Sequence, residues 1–153
     1  MTETDVVLPP EGYERWSAED RFEDRNGPIF IHRDHVPAPG RGLLMLLAEP
    51  RHCNGGGAVH GGMLMTFADS ALFAIARRAF EGDHGVTVTM NSEFVAAAWP
   101  GEWIEADGEL VRKTKSGLMF VRGKLFCGQK TIMLFSGVLK RIKVRPDAGE
   151  RSS

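Results

Sequence analysis

Residues 52–71, HCNGGGAVHGGMLMTFADSA, contain the pattern that decides the fold of this chain. A glycine-rich stretch leads directly into an apolar run, and Asp69 is the only charged residue of that run. An ionised carboxylate that leaves water without a partner costs more than one helix recovers, so a helix serving only as core would carry Ala or Leu there. Asp69 is therefore a candidate functional residue.

The apolar run continues as a long helix pattern. Residues 63–80, MLMTFADSALFAIARRAF, favour a helix, lack proline and are apolar on every side, which predicts a helix enclosed by other structure. After Gly82 the period changes to two, and residues 86–94, VTVTMNSEF, predict a strand with one buried face. The residues expected on that buried face are Val86, Val88, Met90 and Phe94.

Three further strand patterns follow, over residues 102–113, 118–126 and 130–142. Short glycine-containing turns separate them, and short connections favour antiparallel hairpins. One all-round apolar helix followed by an antiparallel meander predicts an α+β fold. In this fold, an antiparallel sheet of about five or six strands wraps around one long central helix.

The N-terminal part has a weaker pattern. Residues 12–24, GYERWSAEDRFED, predict an amphipathic helix, and residues 26–34, NGPIFIHRD, predict a short strand or arm. After a loop rich in proline and glycine, residues 43–50, LLMLLAEP, predict a short buried strand that ends at Pro50. The predicted organisation is an extension, one domain and a polar tail, over residues 1–40, 41–142 and 143–153.

The composition argues against several classes of protein. With 19 Lys plus Arg against 20 Asp plus Glu, the net charge is -1, so no global field attracts nucleic acid. The longest apolar run, residues 63–76, is shorter than the roughly 20 residues that span a bilayer, and the N-terminus lacks a signal-peptide pattern. Cys53 and Cys127 form no CxxC pair, which favours a reducing compartment. We expect a cytoplasmic protein that binds neither nucleic acid nor a membrane.

The glycines suggest how Asp69 is used. Gly61 and Gly62 lie at the predicted helix start, where backbone amides have no partner within the helix and stabilise a carbonyl oxygen that becomes an oxyanion. Asp69 follows about two turns later and is suited to act as a general base or a nucleophile. Asn54, in the preceding loop, has an amide that can orient a water molecule or a carbonyl.

Other interpretations of these polar residues remain open. Asp69 could be a structural hydrogen-bonding group, and His60 fits a helix cap better than a catalytic role. Cys53 has no partnered base visible in the sequence, which argues against a thiolate nucleophile. The two histidines of HRDH, residues 32–35, have no further ligands beside them, so we predict no metal site.

The opening segment resembles the signature of a known family. In the PaaI-like acyl-CoA thioesterases of the hotdog fold, an Asn-containing, glycine-rich loop leads into His-Gly-Gly and then to an Asp on the central helix. Asn54, His60-Gly61-Gly62 and Asp69 match this pattern position by position. Residues 85–102, GVTVTMNSEFVAAAWPGE, resemble the family's next strand and turn, with Thr87 where Ser or Thr often lies near the nucleophilic water.

The resemblance covers residues 43–141 and implies hydrolysis of a coenzyme A (CoA) thioester to free acid and CoA, with no cofactor. The amide of Gly61 would bind the thioester carbonyl, Asp69 would attack it or activate water, and Asn54 would position the reacting groups. In this family the site forms between two subunits, so the resemblance also implies a homodimer or a dimer of dimers.

The residues around the matched segment also suggest a set of substrate contacts, with a solvated basic strand end as the alternative for the cations. Besides the catalytic group of Asp69, Gly61, Asn54 and Thr87, the residues expected to contact substrate are His60, Gly62, Met63, Thr66, Phe73, Arg112 and Lys115. The two cations of this set suit the phosphates of CoA. Leu118, in KSGL, stands where the family commonly has Arg.

Two other functions use the same fold. The chain could bind acyl-CoA without hydrolysing it, because a fold does not determine a function. A hydratase would need an Asp and His pair placed as acid and base, and the matched segment has no such pair. Nothing in the sequence identifies the acyl group.

Overall fold

The computed structural model describes residues 6–16, 19–37 and 39–143. It contains two α-helices, seven strands and two short 3-10 turns. The helices are α1, Arg21–Asn26, and α2, Gly61–Ala76. The strands are β1 Tyr13–Arg15, β2 Ile29–His32, β3 Leu44–Leu47, β4 His84–Phe94, β5 Trp103–Lys113, β6 Leu118–Cys127 and β7 Lys130–Ile142. The 3-10 turns are Pro50–His52 and Arg77–Phe80.

All seven strands form one antiparallel sheet in the order β1-β2-β3-β5-β6-β7-β4. The sheet contacts α2 through five of its strands, from β3 to β7, so it wraps around the helix. The predicted α+β architecture is therefore confirmed. The sheet has seven strands instead of five or six because β1 and β2, from the N-terminal segment, extend it beside β3.

Helix α2 is enclosed as its composition predicts. It begins at Gly61, where the preceding His60 is the N-cap, and Phe67 and Leu72 are fully buried against the sheet. Among the helices of the described residues, none is long and apolar enough to cross a membrane. The helix is therefore the centre of the core, and its two ends and one side are the places where α2 can carry a site.

Two glycines pair between β5 and β6. Gly108 of β5 pairs with Gly123 of β6, and a Cβ atom added to Gly108 would collide with the carbonyl oxygen of Arg122 and lie 2.8 Å from Ile75 Cδ1 of α2. A Cβ on Gly123 would collide with the carbonyl oxygen of Asp107. No side chain fits at either position, and at Gly108 this allows β5 to approach Ile75 of α2 closely.

The N-terminal helix is shorter than predicted. Tyr13 is buried in β1 and donates its hydroxyl to the carbonyl oxygen of Gly42 at 2.6 Å, so residues expected to be helical are extended. Helix α1 begins only after Asp20, whose side chain accepts the N–H groups of Phe22 and Glu23 at 2.8 and 3.1 Å. Residues 17 and 18 lie outside the described residues.

Strand β4 differs from its predicted pattern. Its pairing with β7 shifts between Thr87 and Thr89, which leaves Val88 as a bulge that reverses the alternation of side chains. Thr87 consequently faces α2, whereas Val86 and Val88 are 45% and 52% exposed. Phe94 is also exposed, because β4 is the last strand of the sheet. The prediction of one buried face is therefore wrong for the single chain, although Met90 does pack on the core.

Candidate active site

Asp69 lies on α2 and meets Thr87 of β4. The Thr87 hydroxyl donates to Asp69 Oδ1 at 2.7 Å, and the carboxylate is half-buried. The bulge at Val88 is what turns Thr87 toward the helix. Two residues predicted from the sequence as catalytic are thus brought together, with the second carboxylate oxygen of Asp69 outside this bond.

A cavity of about 500 Å³ opens beside Asp69. One wall is a pair of stacked rings, Phe73 and Phe80, whose centroids are 5.6 Å apart. Arg77, the first residue of the 3-10 turn after α2, lies in the same cavity, and Glu23 of α1 lines it from the N-terminal segment. Phe73, predicted as a substrate contact, therefore shares a cavity with the predicted catalytic carboxylate.

Sequence reasoning missed Glu23. Ser70, next to Asp69 on α2, is buried and donates its hydroxyl to Glu23 Oε1. Burial raises the pKa of Glu23, and the negative charges of Asp20, Asp69 and Asp24 raise it further against the opposing hydrogen bond from Ser70. No local motif marks Glu23, because only the docking of α1 on α2 brings it here.

The start of α2 leaves one amide available. His60 Nδ1 accepts the Gly62 N–H at 2.8 Å, so His60 caps the helix and the Gly62 amide is occupied. No hydrogen bond among the described residues uses the Gly61 N–H as donor. Of the two glycine amides predicted to face substrate, the one at Gly61 can therefore still bind an oxyanion.

The loop before the helix is held by Asn54. Its side-chain oxygen accepts the Gly56 N–H at 2.9 Å, and its backbone N–H donates to Ala58 at 2.8 Å. The side chain is exposed, and its NH₂ group donates in no hydrogen bond of the described residues. Asn54 therefore shapes the glycine loop, while its amide donors have no partner among residues 6–16, 19–37 and 39–143.

One chain does not bring Gly61 and Asp69 together. They are eight residues apart on α2, about 12 Å along the helix axis. Gly61 lines a separate recess of about 400 Å³ with Phe94, whereas Asp69 lines the cavity with Phe73. A thioester bound by the Gly61 amide of one chain thus lies too far from Asp69 of the same chain to react with it.

The remaining predicted substrate contacts are spread over the surface. His60, Gly62, Met63 and Thr66 line a third recess of about 400 Å³ beside α1. Arg112 and Lys115 are exposed at the far end of β5 and in the turn after it, and no ion pair of the described residues involves either of them. The structure therefore leaves both cations available to a phosphate.

Two residues before the glycine loop fasten α1. Arg51 donates Nη1 to the carbonyl oxygen of Arg25 at 2.5 Å, and Nη2 bonds to the carbonyl oxygen of Gly27. His52 is buried, accepts the Glu49 N–H at Nδ1 and bonds to the carbonyl oxygen of Asn26 through Nε2 at 2.7 Å. The imidazole is therefore neutral with its proton on Nε2, and α1 is held against the cavity by its C-terminal end.

His52 makes the stability of this arrangement depend on pH. Burial lowers its pKa, so the folded chain binds fewer protons there than the unfolded chain, whose imidazole titrates near 6.5. The stability that His52 contributes is present above that value and is lost as the pH falls. In urea unfolding at about pH 7.5 and about pH 5.5, the wild-type chain should lose more stability than the non-titrating His52→Gln variant. Equal losses would contradict this prediction.

The Thr87 hydrogen bond should matter for turnover. Thr87→Val keeps the shape of the side chain but removes the donor to Asp69, so we expect kcat for thioester hydrolysis to fall about tenfold, as for loss of one bond to a charged group. Thr87→Ser keeps the hydroxyl and should stay near the wild-type value. Steady-state rates of thiol release measure both, and equal rates for Val and wild type would show that the bond is not used.

The described residues offer little other reactive chemistry. Burial, reinforced by the negative charge of Glu102, raises the pKa of Cys127 to about 12, so this thiol stays protonated at neutral pH. Cys53 is also a free thiol and lies against the carbonyl oxygen of Glu49. No group of three or more His, Cys, Asp or Glu within residues 6–16, 19–37 and 39–143 is placed to hold a metal ion. The Asp69 cavity therefore remains the candidate active site.

The sequence of this chain matches a known family and a known relative. The family model of the thioesterase superfamily matches residues 56–133, which include Gly61, Asp69 and Thr87. A candidate esterase of Pseudomonas aeruginosa is 32% identical over 130 residues, which cover 84% of this chain and 94% of that protein.

Solved structures share the fold. A mutant of the phenylacetic acid degradation protein PaaI from Thermus thermophilus is 25% identical, with a TM-score of 0.66 over 80% of this chain and 100% of that one. The BH2602 protein of Bacillus halodurans, solved with CoA, is 26% identical, with a TM-score of 0.61 over 67% of this chain and 68% of that one. The chain belongs to the thioesterase superfamily, and it is a thioester hydrolase.

Proposed function

We propose that this protein hydrolyses acyl-CoA thioesters to the free acid and CoA. The observation that carries the proposal is the Asp69 carboxylate, which Thr87 orients at the mouth of a cavity, together with a free amide at Gly61. A half-buried carboxylate supplies the base or nucleophile, and the amide at a helix start supplies the oxyanion donor.

The chemistry needs few groups. With Asp69 as base, the carboxylate takes a proton from water while the oxygen of that water attacks the thioester carbon, and the negative charge formed on the carbonyl oxygen is stabilised by the Gly61 amide. Collapse of the tetrahedral intermediate breaks the carbon–sulfur bond, and the CoA thiolate takes the proton from Asp69. With Asp69 as nucleophile, its oxygen attacks the thioester carbon and the carbon–sulfur bond breaks, which gives a mixed anhydride and the CoA thiolate. Water then hydrolyses the anhydride to the free acid and restores the Asp69 carboxylate, and the proton released in this step goes to the thiolate.

We further propose that each site uses two chains. Gly61 and Asp69 of one chain are about 12 Å apart along α2, so the Asp69 of one subunit must meet the Gly61 of another. Strand β4 supplies the surface for this pairing, because its outer edge has no neighbour in the described sheet and exposes Val86 and Val88. A homodimer, or a dimer of dimers, places two such sites symmetrically.

The CoA part of the substrate is supported by less direct observations. The Bacillus halodurans neighbour was solved with CoA. Arg112 and Lys115 have no ion-pair partner within the described residues and suit the phosphate groups of a nucleotide. Arg122, by contrast, is held by Glu109 at 2.5 Å and is less available.

The test of this function is release of free thiol. Purified protein is incubated with a panel of aliphatic and aromatic acyl-CoAs, and the released thiol is measured by absorbance with a thiol-reactive chromogenic reagent. We expect turnover with at least one member of the panel and a linear dependence of rate on protein concentration. Tight binding of acyl-CoA without thiol release from any member would refute hydrolysis as the function.

A further inference from the structure

Arg77 is a cation without a carboxylate partner inside the Asp69 cavity. Its Nη1 donates to the carbonyl oxygen of Ala74 at 3.0 Å and its Nη2 to that of His35 at 2.6 Å. No ion pair of the described residues includes it, and burial, with the nearby charge of Arg78, lowers its pKa. A guanidinium that is partly removed from water and meets only neutral oxygens attracts an anion.

Each of the four carboxylates that line the same cavity already makes an ion pair or a hydrogen bond within the chain. Asp83 is bonded to Arg141 at 2.6 Å, and Asp20 caps α1 by accepting two backbone N–H groups. Glu23 is bonded to Ser70, and burial raises its pKa. Apart from His84, Arg77 is the one basic residue of the described cavity lining, and no described carboxylate pairs with it. The carboxylates of Asp20, Glu23 and Asp69 in the same lining are likewise without a cation partner among the described residues.

The guanidinium is also held in a fixed place. His35 has a left-handed backbone conformation, with a φ of 57°, which a non-glycine residue adopts only when its surroundings require it. Its carbonyl oxygen is the one that binds Arg77 Nη2. Two of the five N–H donors of Arg77 are used by backbone oxygens, which leaves three for a ligand.

The helix sets the distance between Arg77 and Asp69, the residue beside which the thioester would react. Arg77 follows Asp69 by eight residues, so the two lie about 12 Å apart along α2 and its continuation. The stacked rings of Phe73 and Phe80 lie in the wall of the same cavity. An acyl chain whose carbonyl is near Asp69 can thus run past an apolar wall and end at a cation.

We propose that Arg77 is a subsite for a carboxylate at the far end of the acyl group, so that the preferred substrates are CoA half-thioesters of long dicarboxylic acids. This inference rests on the proposed function, because it assumes that the thioester lies at Asp69. A guanidinium pairs with a carboxylate through parallel N–H donors, and the rings contact the methylene groups between the two ends.

The test compares two acyl-CoAs of equal chain length, one ending in a carboxylate and one in a methyl group, each long enough to span about 12 Å. The readout is the ratio of their kcat/KM values. In wild type the carboxylated substrate should be preferred, and Arg77→Gln should lower the ratio roughly ten- to hundredfold. Arg77→Lys should give an intermediate ratio. Arg78→Gln is the matched control, since Arg78 is the exposed neighbouring arginine, and should leave the ratio unchanged.

The other possible outcomes distinguish a substrate subsite from a purely structural role of Arg77. If Arg77→Gln slows both substrates equally, Arg77 only fastens α2 to the loop at His35, and the proposal is overturned. A wild-type preference for the methyl-terminated chain overturns it as well. If wild type hydrolyses other members of the acyl-CoA panel but neither of these two, the subsite is overturned while the proposed function stands. If no member of the panel releases thiol, the proposed function fails, and the subsite is then judged by calorimetry with the free dicarboxylate. Weaker binding by Arg77→Gln than by Arg78→Gln would support the subsite, and equal binding would refute it.

Discussion

Asp69→Asn is expected to lower kcat for acyl-CoA hydrolysis by about 10³-fold, within the range typical of a lost general base. The Asn side chain keeps the shape of Asp and still accepts the hydroxyl of Thr87 through its carbonyl oxygen. The Asn amide, however, can neither accept a proton from water nor attack the carbonyl carbon of the thioester. The loss should therefore fall on the chemical step, with folding and substrate binding largely kept.

Thiol release at saturating acyl-CoA measures this effect. Asp24→Asn is the matched control, because it removes one negative charge from an exposed carboxylate of α1 that pairs only weakly with Arg15, at 3.6 Å. An exposed pair of this kind contributes little, so the control should keep its rate within about twofold. Wild-type turnover by Asp69→Asn would exclude this residue as base and as nucleophile.

Gly61→Pro should have the second largest effect, a loss of about 10²- to 10³-fold in kcat, as for removal of an oxyanion donor. Proline lacks the N–H group, and Gly61 is the first helical residue, a position that proline favours. The preceding residue, His60, has φ of -60° and ψ of 136°, a conformation that proline after it permits. The substitution therefore deletes one backbone amide and leaves the helix intact.

Gly61→Ala is the control for added bulk. It keeps the N–H group, and its Cβ would lie 3.4 Å from the Phe94 ring, an ordinary contact. Circular dichroism should show equal helix content in both variants. A proline variant as active as the alanine variant would show that the Gly61 amide does not stabilise the oxyanion.

The same two variants test whether the site spans two chains. When Asp69→Asn and Gly61→Pro proteins are unfolded together and refolded as a mixture, a mixed dimer has one site with both functional groups and one with neither. Recovery of activity above either variant alone is expected if Asp69 acts across the interface. No recovery, with mixed dimers shown to form, would place both groups of one site in one chain.

The central elements could be predicted because their patterns are local. Helix α2 and strands β4 to β7 each carry a long, unbroken periodicity, and they lie where the residues indicated. The sequence indicates Thr87 as a catalytic candidate only by way of the family resemblance, and it does not predict the hydrogen bond of Thr87 to Asp69. Simple alternation along β4 puts Thr87 on the polar face, and only the bulge at Val88 turns it inward.

The rest depends on contacts between distant parts of the chain. Strand β1 pairs with β2, and β2 pairs with β3, but short strands at the N-terminus have too little pattern to predict their partners. Glu23 enters the Asp69 cavity through the docking of α1, which no spacing along the sequence encodes. Arg77 follows Asp69 at helical spacing, but its bond to His35 depends on the position of a distant loop.

The outer edge of β4 also affects how this protein behaves before it assembles. An edge of eleven residues without proline, with Val86, Val88 and Phe94 exposed, is the surface on which a lone chain aggregates most readily. A newly synthesised subunit must therefore dimerise before its exposed β4 edge pairs with the edge strands of other chains and aggregates. Soluble yield should depend on the rate of pairing as much as on the stability of the folded chain.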